Sequence, residues 1–171
     1  MQESQPEPWL RGTHSEIPAV PRAVLHAIEL AQEDLISWCR ELSEPELIAT
    51  PSGLPSIAFQ LRHITRSLDR LLTYAEGHQL NERQLQALTG ETDAQCAKAE
   101  IFGELSAAFR ESSARILKVG EKPETLNQPR TVGRKNLATT VAGLLVHIAD
   151  HTQRHVGQII TTAKILVARR G

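Results

Sequence analysis

The sequence predicts an all-α protein, a four-helix bundle with an irregular N-terminal arm and long connections between helices two and three and between helices three and four. Four long stretches carry apolar residues at the spacing of three and four that is typical of amphipathic helices. Prolines and glycines cluster between these stretches, and no segment alternates apolar and polar residues as a half-buried strand does. Four amphipathic helices of similar length pack most simply as a bundle around one core.

Length and composition limit the possible partners. The chain has 171 residues, which suits a single domain over residues 1–171. Its 19 basic and 20 acidic side chains nearly cancel, so no net field favours nucleic acid or an anionic membrane. No apolar run is long enough for a membrane span, and the N-terminus lacks the apolar centre of a signal peptide. We therefore expect a cytoplasmic protein that binds neither nucleic acid nor a membrane.

The N-terminal part reads as an arm followed by the first helix. Four prolines between residues 6 and 21 predict that residues 1–20 form an irregular arm, which Trp9 is expected to pin to the body. From Pro21, suited to a first helical turn, helix one is predicted to end before Pro45. Its apolar stripe consists of Val24, Leu25, Ile28, Ala31, Leu35, Cys39 and Leu42.

The second helix is predicted to be capped by Ser52 or Gly53 and to run to about Gly77. Its apolar set is Leu54, Ile57, Leu61, Ile64, Leu68, Leu71 and Leu72. A polar connection over residues 78–96 follows, with a short helical turn around residues 82–88.

Helix three is predicted to end at Gly120. Its core residues are Phe102, Leu105, Phe109, Ser112 and Ile116. Residues 121–136 read as a loop, and residues 137–168 as the fourth helix. The two cysteines, Cys39 and Cys96, have no metal-type spacing and are expected to be reduced, buried thiols.

A stripe of histidines marks the last helix. At about 100° per residue, its buried face contains Val141, Leu144, Leu145, Ile148, Thr152, Ile159, Thr162 and Leu166. On this wheel His151 and His155 point inward and His147 lies on the flank. Two histidines at i and i+4 can present two imidazole nitrogens to one cation. The spacing alone leaves open a metal site or a pair of hydrogen-bonded core histidines.

The other histidines give weaker signals. His26 shares a wheel face with charged side chains, which predicts a surface position, and His14 and His78 stand where histidines usually have no special role. His63 points away from the apolar stripe of helix two, which favours the surface. Small polar residues lie beside it, namely Ser56, Gln60, Ser67 and Tyr74. Such a strip could line a pocket, so a ligand role for His63 stays open.

The run Leu61-Arg62-His63-Ile64, together with His151-Thr-Gln-Arg-His155-Val-Gly-Gln-Ile, resembles the DinB/YfiT-like superfamily. Members are four-helix bundles in which one histidine of the second helix and an HxxxH pair of the last bind a divalent metal. The resemblance extends from helix one to the end of the chain. It implies that His63, His151 and His155 bind zinc, nickel, iron or manganese, with His147 outside this set.

The resemblance also implies a function. It suggests a cytoplasmic homodimer whose three-histidine site leaves metal positions open, as catalytic sites do. Relatives include thiol S-transferases, so the chain is expected to be a metal-dependent enzyme acting on a small molecule such as a low-molecular-weight thiol. The alternative is a non-catalytic helical module for dimerisation or stress response, with a structural metal or none. Gly157 is expected to admit a close helix, and Gln158 to form a flank hydrogen bond or line the pocket.

Overall fold

The computed structural model describes residues 5–87 and 97–170, and most of these are helical. The elements in chain order are α1 Ala19–Cys39, α2 Glu44–Ile48, α3 Ile57–Ala75, α4 Glu82–Ala87, α5 Lys98–Gly120, β1 Pro129–Val132, β2 Leu137–Thr140 and α6 Val141–Ala168. Within these ranges, no helix is long and apolar enough to cross a membrane. The mostly helical class predicted from the sequence is confirmed.

Four long helices build the core. α1 packs against α5 and α6, and α3 packs against the same two helices. The faces that meet are those the apolar spacing predicted, and a shared cluster of buried side chains joins them. Among its fully buried members are Ile28, Leu35, Leu61, Leu68, Phe109, Ile116 and Leu145. Burial of such side chains supplies about 1.5–3 kcal/mol each, so the helices stabilise one another mainly through this core.

The second long helix starts later than predicted. Pro51–Gly53 forms a short 3-10 turn, and Leu54 is extended with ψ 148°, so neither Ser52 nor Gly53 can cap α3. The cap is Ser56, whose Oγ accepts a hydrogen bond from the Phe59 backbone N–H at 3.2 Å. The Pro51–Gly53 turn thus separates α2 from α3.

A β-hairpin stands where the sequence predicted a loop and the start of the last helix. Residues 129–132 pair antiparallel with residues 137–140, with Pro129 opposite Thr140. The predicted start of the last helix at Leu137 is therefore wrong, as is the prediction of a chain without strands. α6 begins at Val141, where the Oγ1 of Thr140 accepts a hydrogen bond from the Gly143 N–H. Neither strand, PRTV or LATT, alternates apolar and polar residues, so the sequence pattern does not reveal the hairpin.

The N-terminal arm is held by contacts other than the one predicted. Trp9 is 61% exposed and does not pin the arm, whereas Pro8 is buried. The Arg11 guanidinium donates two parallel hydrogen bonds to the Glu33 carboxylate, at 2.6 and 2.7 Å. This bidentate pair fixes the arm against α1.

Cys39 is a buried, reduced thiol. Cys39 is fully buried on α1, and burial raises the pKa of its thiol to about 12. It is therefore protonated and unreactive in the native protein, in agreement with the prediction. Cys96 lies outside the described residues.

Gly120 lets the end of α5 approach the start of α1. A Cβ at this position would lie 2.6 Å from the Cβ of Pro21, whose ring cannot rotate away. Gly120→Ala is therefore expected to destabilise the protein by about 1 to 2 kcal/mol. Gly103→Ala is the matched control, because it lies on the same helix with nothing within 4 Å of an added Cβ. This control should gain about 0.5–1 kcal/mol in urea unfolding. Equal stabilities for the two variants would contradict the close approach.

Candidate metal centre

Three histidines from two helices meet on one side of the core. His63 projects from α3, and His151 and His155 lie one turn apart on α6. One ring nitrogen from each comes within 4.8 Å of the other two. All three side chains are half-buried. The structure thus brings together the three residues that the resemblance implied.

The distances suit shared coordination of one ion. The Nε2 atoms of His63 and His151 are 3.3 Å apart. Two nitrogens bound to one zinc ion at about 2.0–2.1 Å in tetrahedral geometry lie about 3.3–3.4 Å apart. The ring centroid of His155 lies 4.5 Å from the ring centroid of His63 and 4.5 Å from that of His151. The rings are therefore grouped as ligands of a single cation would be.

His63 reaches this position because of how α3 packs on α6. The wheel placed it off the apolar stripe of its own helix, which favoured the surface. In the structure that side of α3 faces α6, and the Phe59 ring stacks on His63 with centroids 5.9 Å apart. The Oγ of Ser67 lies 3.4 Å from His63 Nε2 and accepts a hydrogen bond from Arg70. Position relative to a second helix cannot be read from one helical wheel.

Gln60 orients His155. Its amide Nε2 donates to the Oε1 of Gln158 at 2.9 Å, which turns its own carbonyl oxygen toward the Nδ1 of His155. His155 Nδ1 therefore donates the proton, and Nε2 carries the lone pair. This is the arrangement in which a metal-binding imidazole is usually held by an outer partner.

A family model described as the DinB superfamily matches residues 27–159, most of the chain. The chain belongs to the DinB superfamily. The matched residues include His63, His151 and His155. A comparison with curated proteins finds no match.

Burial and neighbouring rings keep His151 in its neutral form. Burial, followed by the nearby rings of His155, His63 and His147, lowers the pKa of His151 to about 4. At neutral pH, His151 is therefore uncharged and its lone pair is available to a cation. Without a metal, His151 contributes stability that is fully present above about pH 6.5 and is lost as the pH falls toward 4, because the unfolded chain binds the proton more readily.

His147 lies at the edge of the group formed by His63, His151 and His155. Its side chain is 48% exposed, and its Nδ1 lies 3.9 Å from the Oδ2 of Asp150. Its ring centroid is 5.5 Å from that of His151. It is not part of the group whose ligand atoms converge.

The predictions for Gly157 and Gln158 on α6 have different outcomes. Gly157 is exposed, and an added Cβ would meet nothing within 4 Å, so the predicted close approach of another helix is wrong. Gln158 forms its hydrogen bond to Gln60, and this pair links α6 to α3. Sequence reasoning placed Gln60 in a polar strip but missed its contact with His155, which spans two helices.

His26 and His14 also differ from expectation. His26 is only 9% exposed rather than on the surface, because the arm covers that side of α1. His14 Nε2 lies 2.7 Å from the Oε1 of Glu29, so His14 has a specific partner, contrary to expectation. The wheel of α1 alone could not show what the arm covers. His78 is exposed, as its position suggested.

Proposed function

We propose that the chain is a divalent-metal-dependent enzyme that acts on small molecules, with His63, His151 and His155 as the metal ligands. The observation that carries this proposal is the convergence of one ring nitrogen from each histidine within 4.8 Å. Neutral imidazoles suit zinc, nickel and iron, and three of them leave at least one coordination position open. An open position is what distinguishes a catalytic site from a closed structural one.

The protein residues hold the site in the required form. Gln60 fixes the tautomer of His155, and low proton affinity keeps His151 neutral. Phe59 supports the face of the His63 ring. A bound divalent metal would supply Lewis acidity, lowering the pKa of a thiol or water in the open position. These contacts hold the ligands ready without large movement.

A low-molecular-weight thiol is the substrate class we propose, as in S-transferase relatives. The thiol would release its proton to solvent water, and its sulfur would form a new bond to an electrophilic carbon. The bond from that carbon to its leaving group would break, and the leaving group would depart with the electron pair. Cobalt-loaded protein provides the test, because a thiolate bound to cobalt gives a charge-transfer band. The test uses a His14→Ala background, which removes a second group of possible ligands, His14, His26 and Glu29. In this background we expect the band on addition of cysteine or glutathione, and its absence when His155→Ala is added. Stoichiometric cobalt binding without a response to any thiol would reject the thiol proposal while leaving the metal site intact.

The competing function is a non-catalytic module whose metal is structural. The apolar core joins all four long helices, and every buried side-chain polar atom among the described residues has a hydrogen-bond partner. A fold complete in this way should persist when a chelator removes the metal. A protein with a structural site should instead unfold when its metal is removed. Circular dichroism of chelator-treated protein separates the two functions.

We further propose that the four long helices constitute one DinB/YfiT-like four-helix bundle domain and that the protein is a cytoplasmic homodimer. An apolar groove between α1 and α6 supports dimerisation, since it is lined by small or aliphatic side chains and includes the half-exposed Val146. The groove residues are Ala19, Val20, Ala23, Val24, Val146 and Ala149. Analytical ultracentrifugation tests this proposal, and a monomer at micromolar concentration would reject it.

Gln60→Leu should weaken metal binding at the proposed site about 10- to 100-fold, the usual effect of removing an outer partner from a metal-binding histidine. Gln60→Glu retains an acceptor for His155 Nδ1 and should bind within a few-fold of wild type. Competition with a chromophoric chelator, in a His14→Ala background, measures both affinities. If leucine and glutamate behaved alike, the role assigned to Gln60 would be wrong.

A further inference from the structure

A second cluster of possible metal ligands lies beneath the N-terminal arm. It consists of His14 from the arm and of His26 and Glu29, which are three residues apart on α1. One ligand atom from each lies within 4.8 Å of the others. The family match begins at residue 27, so both histidines of this cluster precede it.

The local geometry brings donors of two kinds together. His14 Nε2 contacts the Oε1 of Glu29 at 2.7 Å, and the rings of His14 and His26 have centroids 5.5 Å apart. His26 Nε2 lies 3.1 Å from the Oγ1 of Thr13. His26 is 9% exposed, so its ring lies beneath the arm rather than in solvent.

The backbone of the arm is shaped to present His14. This residue has φ 59°, a left-handed conformation that side chains other than glycine rarely adopt. Its carbonyl accepts a hydrogen bond from the Ile17 N–H at 3.0 Å, and Arg11 anchors the preceding turn on Glu33. The contacts on both sides thus hold a strained residue with its ring directed at Glu29.

A cavity of about 620 Å³ adjoins the cluster. His26 and Thr13 line it from one side and Gln153 of α6 from another. None of the three histidines on α3 and α6 lines this cavity. Water or a small ligand could therefore reach His26 without passing the three-histidine site of His63, His151 and His155.

We propose that His14, His26 and Glu29 form a second divalent-metal site that clips the N-terminal arm to α1. Two imidazoles and one carboxylate are a ligand set typical of zinc, with a remaining position for water. The metal would replace the direct contact between His14 and Glu29 and would bind both. Because one ligand comes from the arm and two from α1, metal binding and arm docking are coupled.

Zinc stoichiometry tests the site separately from the first one. Untagged protein carrying His63→Ala and His155→Ala is dialysed against zinc and then against buffer, and the retained metal is measured. We expect about one equivalent, falling to none when either His14→Ala or Glu29→Gln is added. His78→Ala is the control and should retain the equivalent, because that histidine is exposed at the end of α3.

Two outcomes would overturn this assignment. One is the absence of retained zinc in the double variant while circular dichroism shows it folded. The other is unchanged zinc after both His14→Ala and Glu29→Gln. In the wild-type background, loss of one equivalent of zinc in His63→Ala or His155→Ala protein tests the three-histidine site independently. Failure of either proposal can thus be distinguished from failure of the other.

Proteolysis tests the coupling to the arm. Trypsin can cleave after Arg11, and zinc should slow this cleavage in the wild type and in the variant lacking His63 and His155. Zinc should have no such effect in His14→Ala protein. Cleavage at Arg11 that is insensitive to zinc, in protein shown to retain it, would overturn the clip.

Discussion

His63→Ala protein should fail to retain zinc at the three-histidine site, in a His14→Ala background that removes the second cluster. The remaining ligands, His151 and His155, lie one turn apart on one helix and cannot surround a cation alone. Retained zinc should fall from about one equivalent to none after dialysis of untagged protein. Metal analysis by mass spectrometry measures this directly. Circular dichroism should be unchanged, since His63 is only half-buried and lies outside the apolar cluster.

His147→Ala in the same background is the matched control. This histidine stands one turn before His151 but is half-exposed and outside the converging group. The variant should therefore retain about one equivalent of zinc. Loss of zinc in His147→Ala with retention in His63→Ala would show that the ligands all lie on α6 and that the proposed set is wrong.

Arg115→Ala should lower the free energy of unfolding by about 3 kcal/mol, the largest stability effect we expect. The Arg115 guanidinium donates to Glu76 at 2.7 and 2.9 Å and to Asp69 Oδ1 at 2.8 Å. Burial opposes its charge, yet the hydrogen bonds that it donates to Glu76 and Asp69 raise its pKa above the ordinary value. Removing one member of a buried charged network costs about 3–5 kcal/mol, and the partial exposure of both carboxylates places this case at the lower end.

The loss of Arg115 should affect α4 as well as α3 and α5. Thr73 Oγ1 accepts hydrogen bonds from Arg115 at 3.1 Å and from the buried Gln84 at 2.7 Å, and Gln84 also donates to Asp69. The network therefore connects α3, α4 and α5. Arg110→Ala on the exposed side of α5 should cost less than about 0.5 kcal/mol. Urea unfolding compares the two, and similar losses would contradict a special role for Arg115.

The sequence predicts the buried faces of the helices well and the contacts between elements poorly. The buried faces of α1 and α6 follow from three- and four-residue spacing, so residues such as Leu35 and Ile159 were predicted correctly. The hairpin was missed because four-residue strands depend on pairing rather than on pattern. The burial of His26 was missed because the arm that covers it packs through tertiary contacts.

The candidate site shows the same division. Spacing along α6 was enough to single out His151 and His155 as an inward pair. His63 required the family resemblance, since only the packing of α3 on α6 turns its side chain toward them. Gln60 could be placed in a polar strip, but its contact with His155 joins residues 95 positions apart. Such long-range pairs leave no periodic trace in a single sequence.

Anomalous diffraction from crystals of zinc-loaded protein, collected on both sides of the zinc absorption edge, tests the three-histidine site most directly. We predict a peak between His63, His151 and His155, with bonds of about 2.0–2.1 Å to one nitrogen of each ring. Gln60 should remain bonded to His155 Nδ1. Fully zinc-loaded protein with no anomalous peak among these three rings would contradict the proposed metal centre.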